Sequence, residues 1–170
     1  ESAIAYEEGK RLFVSESDIT AFDNGLHASF RAMFYGANSQ TSEIMCDGFN
    51  ATVNYNNHYG AEHMANETFN AGSKYVETVW ANNYGAIKNY NIAIANADNV
   101  DPSLRAAARY LKGDGYFYRA CSYLTLARHF AKAYDASTAG TDLCVPLVLV
   151  YNQLEKPARA TVKAVYDQIK

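Results

Sequence analysis

The stretch from Asp47 to Asn70 concentrates residue types that capture sugars. Phe49, Tyr55, Tyr59 and Phe69 stand among Asn50, Asn54, Asn56, Asn57 and Asn66. Aromatic rings stack on the apolar faces of pyranoses, and planar amides match their hydroxyls. Phe49, Asn54, Tyr55, Tyr59 and Phe69 are therefore the candidate ligand-binding residues. The plainer reading of the same residues is a satisfied loop whose asparagines make turns. His58, Glu62, His63 and Glu67 are metal-ligand types in the same stretch, but the histidines are five apart and do not share a helix face. No metal site is expected from them. Glu43, Asp47 and Glu62 offer carboxylates for glycoside cleavage, as any acidic loop does. No G-x-S-x-G, phosphate loop or dinucleotide fingerprint occurs. Neither catalysis nor a cofactor is expected.

The whole chain sets the bounds. Its 170 residues suit one domain. A hydrophobic share of 49% can fill a core, and only 3 prolines and 10 glycines argue against disorder. The net charge is −3, and the basic residues are dispersed, so the footprint of a nucleic-acid binder is missing. No segment is long and apolar enough to cross a membrane as a helix. Cys46, Cys121 and Cys144 lack the paired spacing of a zinc site. Cys121 falls in a helical pattern and reads as a small buried hydrophobe. Pairing of Cys46 with Cys144 in an oxidising compartment is open.

These residues need elements to position them. Ser15 with Asp18 three residues on predicts a capped helix start. Ile19, Phe22, Leu26, Phe30, Met33 and Phe34 then form one apolar stripe, with Gly36 as the stop. Residues 37–71 are polar and aperiodic, which predicts a long irregular loop with short helical turns near Glu62 to Met64. A helix is expected over 73–96, with Trp80, Tyr84 and Ile87 on its apolar face and Trp80 as a packed core anchor. Asn91 on that face is placed to cap or bridge helices. Asp101-Pro102 opens another helix, expected to reach about Tyr134. Within it, Asp114 is in helical reach of Arg119 for an ion pair. Gly113 and Gly115 weaken that helix unless a neighbour packs close by. Pro146 argues against a central strand over 143–150. A last helix starts near Thr161 and is still running at Lys170, which suggests a fragment of a longer protein. The expected architecture is all-α: antiparallel helix pairs in a tetratricopeptide-like arrangement with long irregular loops, one domain over 1–170.

A family pattern emerges from the same residues. Trp80, Tyr84, Ile87 and Asn91 spell W-x-x-x-Y-x-x-I-x-x-x-N. Arg119-Ala120, Tyr123, Leu126, Arg128 and Phe130 follow on the next helix, and Val145-Pro146-Leu147 gives V-P-L. Pro157, Arg159, Thr161, Val162, Val165, Tyr166, Asp167, Gln168 and Ile169 close the series. In order and spacing the chain resembles the SusD/RagB family of outer-membrane nutrient-binding lipoproteins, of which it looks like the N-terminal helical part. The segment 131–144 is longer than the step the family usually has there.

The resemblance implies a non-catalytic carbohydrate-binding protein of Bacteroidetes-like bacteria, exposed on the cell surface at the outer membrane. It implies a glycan or other oligomeric nutrient as ligand and a SusC-like TonB-dependent transporter as partner. Attachment would be through an N-terminal lipid anchor. The competing reading is a tetratricopeptide-like scaffold for protein–protein interaction.

Overall fold

The computed structural model describes residues 11–46, 48, 60–64, 70, 72–152 and 154–170. The first helix, α1, spans Glu16–Phe34. Its capping box forms as the sequence predicts: Asp18 N–H donates to Ser15 Oγ at 3.2 Å, and Ser15 N–H donates to Asp18 Oδ2 at 2.8 Å. Two orphan donors of the first turn are thereby satisfied. Ile19, Leu26 and Met33 are the residues of the stripe that become buried.

The expected loop over 37–71 contains regular structure. Helix α2 covers Ala37–Met45 and helix α3 covers Gly60–Met64. The short turns near Glu62 are thus present, but α2 runs against expectation. Its sequence is mostly Asn, Ser, Thr and Gln, which favour caps and turns over helix interiors. It is anchored through Ile44, which is buried, and it packs against α1. Tertiary burial overrides the local preference.

The centre of the molecule is an antiparallel helix pair. Helix α4 runs over Lys74–Asn96, capped by Ser73 Oγ, and α5 runs over Arg105–Phe130. Asp101 caps a 3₁₀ turn over Pro102–Leu104 that leads into α5. Val79, Ile87 and Tyr90 from α4 and Leu111, Tyr123 and Leu126 from α5 are almost fully buried. One glycine allows the pair to come this close. A Cβ on Gly115 would stand 3.1 Å from Ile94 Cγ1 and 3.4 Å from the Tyr90 carbonyl oxygen, whereas a Cβ on Gly113 would meet nothing within 4 Å. Only Gly115 has the packing reason that its helical position demands.

Helix α5 ends at Phe130, short of the expected Tyr134. Ala131 is extended (φ −130°, ψ 167°), and the Phe130 carbonyl accepts from Arg159 Nη2 at 3.4 Å. A side chain from far along the sequence therefore takes one of the end carbonyls. The long 131–144 connection folds into turns. Asp135 Oδ1 accepts from Ser137 N–H at 2.9 Å, and Ala139 is buried. The Ala139 carbonyl then accepts from Lys163 N–H at 2.8 Å.

Strands β1 (Leu143–Pro146) and β2 (Arg159–Thr161) form an antiparallel ribbon. Pro146 sits at its end, consistent with a residue that cannot donate to a ladder. Thr161 caps the final helix α6, Val162–Ile169, by accepting from Ala164 N–H at 3.1 Å. Val162 and Val165 pack it into the same core. The ribbon is a small addition to an architecture that is all-α.

Cys46, Cys121 and Cys144 are free thiols, and Cys144 is fully buried while Cys46 is exposed. Burial pushes the thiols of Cys121 and Cys144 up, so they hold less of the reactive thiolate. In native protein, a disulfide reagent such as DTNB is expected to modify Cys46 within minutes and to reach Cys144 only on unfolding. Fast labelling of Cys144 in the folded protein, located by peptide mapping, would contradict this.

Candidate functional site

The motif residues on α4 and α5 converge on one extended segment, Pro146 to Val148. Tyr84 OH donates to the Pro146 carbonyl at 2.7 Å. Asn91 Nδ2 donates to the Val148 carbonyl at 2.7 Å. Tyr123 OH donates to that same carbonyl at 3.0 Å and accepts from Val148 N–H at 2.7 Å. The ribbon ends at Pro146, and from there the helix pair supplies side chains that satisfy the backbone of Pro146 and Val148.

Asn91 uses its other end as well. Arg119 Nη1 donates to Asn91 Oδ1 at 2.9 Å, and only 6% of Arg119 is exposed. Its guanidinium also lies over the Tyr116 ring, 5.2 Å from the centroid. The expected Arg119–Asp114 ion pair is not formed. Asp114 faces His27 on α1 instead, and Arg119 points inward to the bridging amide. The expected bridging role of Asn91 is present. Burial raises the Tyr84 and Tyr123 phenols and lowers Arg119, which keeps the tyrosines neutral donors at physiological pH. This network is a scaffold that fixes the segment to the helix pair.

On the outer side of that scaffold lies an open cleft of about 610 Å³, at the end of α5. His129, Phe130, Lys132, Asp142, Leu143 and Arg159 line it. Lys132 Nζ pairs with Asp142 Oδ1 at 2.7 Å. Arg159 donates to the carbonyls of Cys144 at 2.5 Å and Leu143 at 3.0 Å. His129 Nδ1 lies 2.8 Å from the Thr125 carbonyl, which can only accept. That nitrogen therefore donates, and Nε2 on the other side of the ring lies 3.1 Å from Tyr75 OH.

Trp80 stands beside this cleft. Its ring meets Phe130 edge-on at 5.0 Å and Tyr84 at 4.9 Å. The residue is 37% exposed, so it is a ledge at the rim and not the core anchor expected from its place on the apolar face. Val79 and Ile87 take the interior positions, and Trp80 lies against Phe130 at the end of α5. The arrangement offers a hydrophobic edge beside charged groups. It can hold a polar ligand with an apolar face.

The predicted ligand residues Phe49, Asn54, Tyr55, Tyr59 and Phe69 lie outside the described residues. So do His58, Glu67, Asp47 and the side chain of Glu62. Glu43 is exposed on α2. One constellation went unpredicted: Asp23 and His27 on α1 meet Asp114 of α5. The i,i+4 spacing of Asp23 and His27 is a visible helix-face signal. Their third member is not visible, since it comes from another helix.

Comparison with known proteins agrees with this geometry. No curated protein matches the chain. Among solved structures, a SusD superfamily protein from Bacteroides vulgatus superposes with a TM-score of 0.71 at 22% identity, covering 92% of this chain and 36% of that one. A putative sugar binding protein from the same species gives a TM-score of 0.68 at 23% identity, covering 94% and 36%. A SusD superfamily protein from Bacteroides thetaiotaomicron gives 0.71 at 18%, covering 92% and 35%. The chain thus spans about a third of the length of these solved relatives. A family model for SusD-like proteins, described as starch-binding and associating with outer membrane, matches residues 6–170. With that match over nearly its whole length, and with the family's motif residues locked around the V-P-L segment, the chain belongs to the SusD-like family.

Proposed function

We propose that this chain is the helical part of a longer, non-catalytic protein that binds a glycan or other oligomeric nutrient at the cell surface. It would work with a SusC-like TonB-dependent transporter of the outer membrane and be held there by an N-terminal lipid anchor. The observation that carries this reading is the SusD-like match over residues 6–170. The solved neighbour named a putative sugar binding protein supports a sugar as the ligand. The cleft beside Trp80 supports binding over cleavage. Asp142 is the carboxylate among its described lining residues and is already held by Lys132, whereas glycoside hydrolysis uses two carboxylates flanking the bond.

Phe49, Asn54, Tyr55, Tyr59 and Phe69 remain the proposed ligand contacts, with stacking from the rings and hydrogen bonds from the amide. The test is a glycan array on the longer protein, followed by calorimetry on the best ligand. The double substitution Tyr55→Ala and Tyr59→Ala is expected to weaken binding about tenfold, as loss of two stacked rings at about 0.5–1.5 kcal/mol each implies. Trp80→Ala is the comparison. A larger loss there would move the site to the ledge, and binding to no glycan at all would overturn the sugar assignment.

A further inference from the structure

Asp23, His27 and Asp114 bring two carboxylates to one imidazole, away from the cleft and from the V-P-L segment. Asp23 and His27 lie one turn apart on α1, so their side chains share a face. Asp114 reaches them from α5, in the helix turn that Gly115 lets approach α4. His27 Nε2 lies 3.4 Å from Asp23 Oδ2 and 3.3 Å from Asp114 Oδ2, and the three ligand atoms are all within 4.8 Å of one another.

These separations do not suit a shared proton. Charge-assisted N–H···O bonds run at about 2.7–2.9 Å, so a single Nε2 proton would be poorly bonded to both carboxylates. They do suit a shared metal ion. Two ligands each about 2.05 Å from zinc at the tetrahedral angle stand about 3.3 Å apart. The same bond length at an octahedral right angle gives about 2.9 Å, which is too short for these pairs. Calcium would fit on distance, but it is an oxygen-seeking ion and an imidazole nitrogen is foreign to its sites.

Two further observations point the same way. Tyr118 OH lies 2.5 Å from His27 Nδ1. With Nδ1–H donating to that hydroxyl, Nε2 presents its lone pair toward the carboxylates, the arrangement that orients metal-binding histidines. Tyr118 is itself fixed, buried and stacked on Phe30 at 4.2 Å. The second observation concerns Asp23. Its Oδ1 is buried with no hydrogen-bond partner among the described residues. The oxygen facing His27 is Oδ2, so a cation held there would compensate a carboxylate whose other oxygen has no hydrogen bond among the described residues.

We propose that Asp23, His27 and Asp114 form a zinc-class metal site joining α1 to α5, with a water completing the tetrahedron. The site ties the first helix to the central pair and so has a structural role, independent of the glycan reading.

The test is calorimetric titration of chelator-stripped protein with zinc chloride near neutral pH, with cobalt(II) as a spectroscopic substitute. One equivalent of zinc should bind the unmodified protein, and cobalt(II) should give the intense visible bands of tetrahedral coordination. His27→Gln and Asp114→Asn should abolish that equivalent. Tyr118→Phe should weaken it about tenfold, as loss of an orienting hydrogen bond does. His129→Gln should leave it intact. Circular dichroism of each variant separates lost binding from lost folding, since His27 is half exposed and its replacement should not unfold the helix. No zinc uptake by the folded parent would overturn the proposal. So would uptake unchanged in folded His27→Gln, or weak, octahedral cobalt(II) bands.

Discussion

Asn91→Leu is expected to lower the stability of the chain by about 3 kcal/mol, a fall in midpoint temperature of about 6–12 °C for a protein of this size. Leucine matches asparagine closely in volume, so the loss would be polar and not steric. Asn91 donates to the Val148 carbonyl and accepts from Arg119, and both bonds vanish together. Val148 keeps Tyr123 as a partner. Arg119 is worse placed, because the residue is only 6% exposed in the folded state. A buried cation without its acceptor carries a penalty larger than the value of the bond itself. The check is a double-mutant cycle in urea with Arg119→Met. Once the cation is gone, Asn91→Leu should cost at least about 1 kcal/mol less than in the parent. Strictly additive losses would mean that the Asn91–Arg119 pair is incidental.

Gly115→Val and Gly113→Ala are expected to move stability in opposite directions although they stand two positions apart. At Gly115 a Cβ would meet Ile94 at 3.1 Å and the Tyr90 carbonyl at 3.4 Å. Ile94 can give slightly, but the carbonyl belongs to the α4 backbone, and a β-branched residue adds two more carbons. Forcing the pair apart should cost about 3 kcal/mol, the upper part of the range for overpacked cores. At Gly113 the space is open and the backbone is helical, so alanine should gain about 1 kcal/mol through the restricted unfolded chain. Thermal unfolding of both variants checks the pair. Equal effects of the same sign would mean that α4 and α5 do not approach at Gly115 as described.

The contrast between these two glycines illustrates what can be read along the chain. Their sequence neighbourhoods are nearly identical, and only the position of Ile94 and Tyr90 distinguishes them. The network around Asn91 was half legible in the same way. Its place on the apolar face marked it as a bridge between helices, but both of its partners come from far along the chain. Helical spacing points Asp114 to Arg119, whereas the fold places it against His27. The ligand segment from Phe49 to Phe69 was legible only as composition.

What the sequence determined by itself were the features whose causes are local. The helix starts at Ser15, Ser73, Asp101 and Thr161 follow from side chains that reach their own backbone within three residues. The apolar stripes of α1, α4 and α5 follow from helical periodicity, and with them the all-α class. Tertiary structure alone decided the rest. It imposed a helix on the polar residues of α2, stopped α5 at Phe130 and turned Trp80 to the rim. It also gathered Asp23, His27 and Asp114. The reason is common to all of these: each depends on groups distant in sequence, whose contacts exist only after the chain has packed, and burial then outweighs preferences worth less than about 1 kcal/mol per residue.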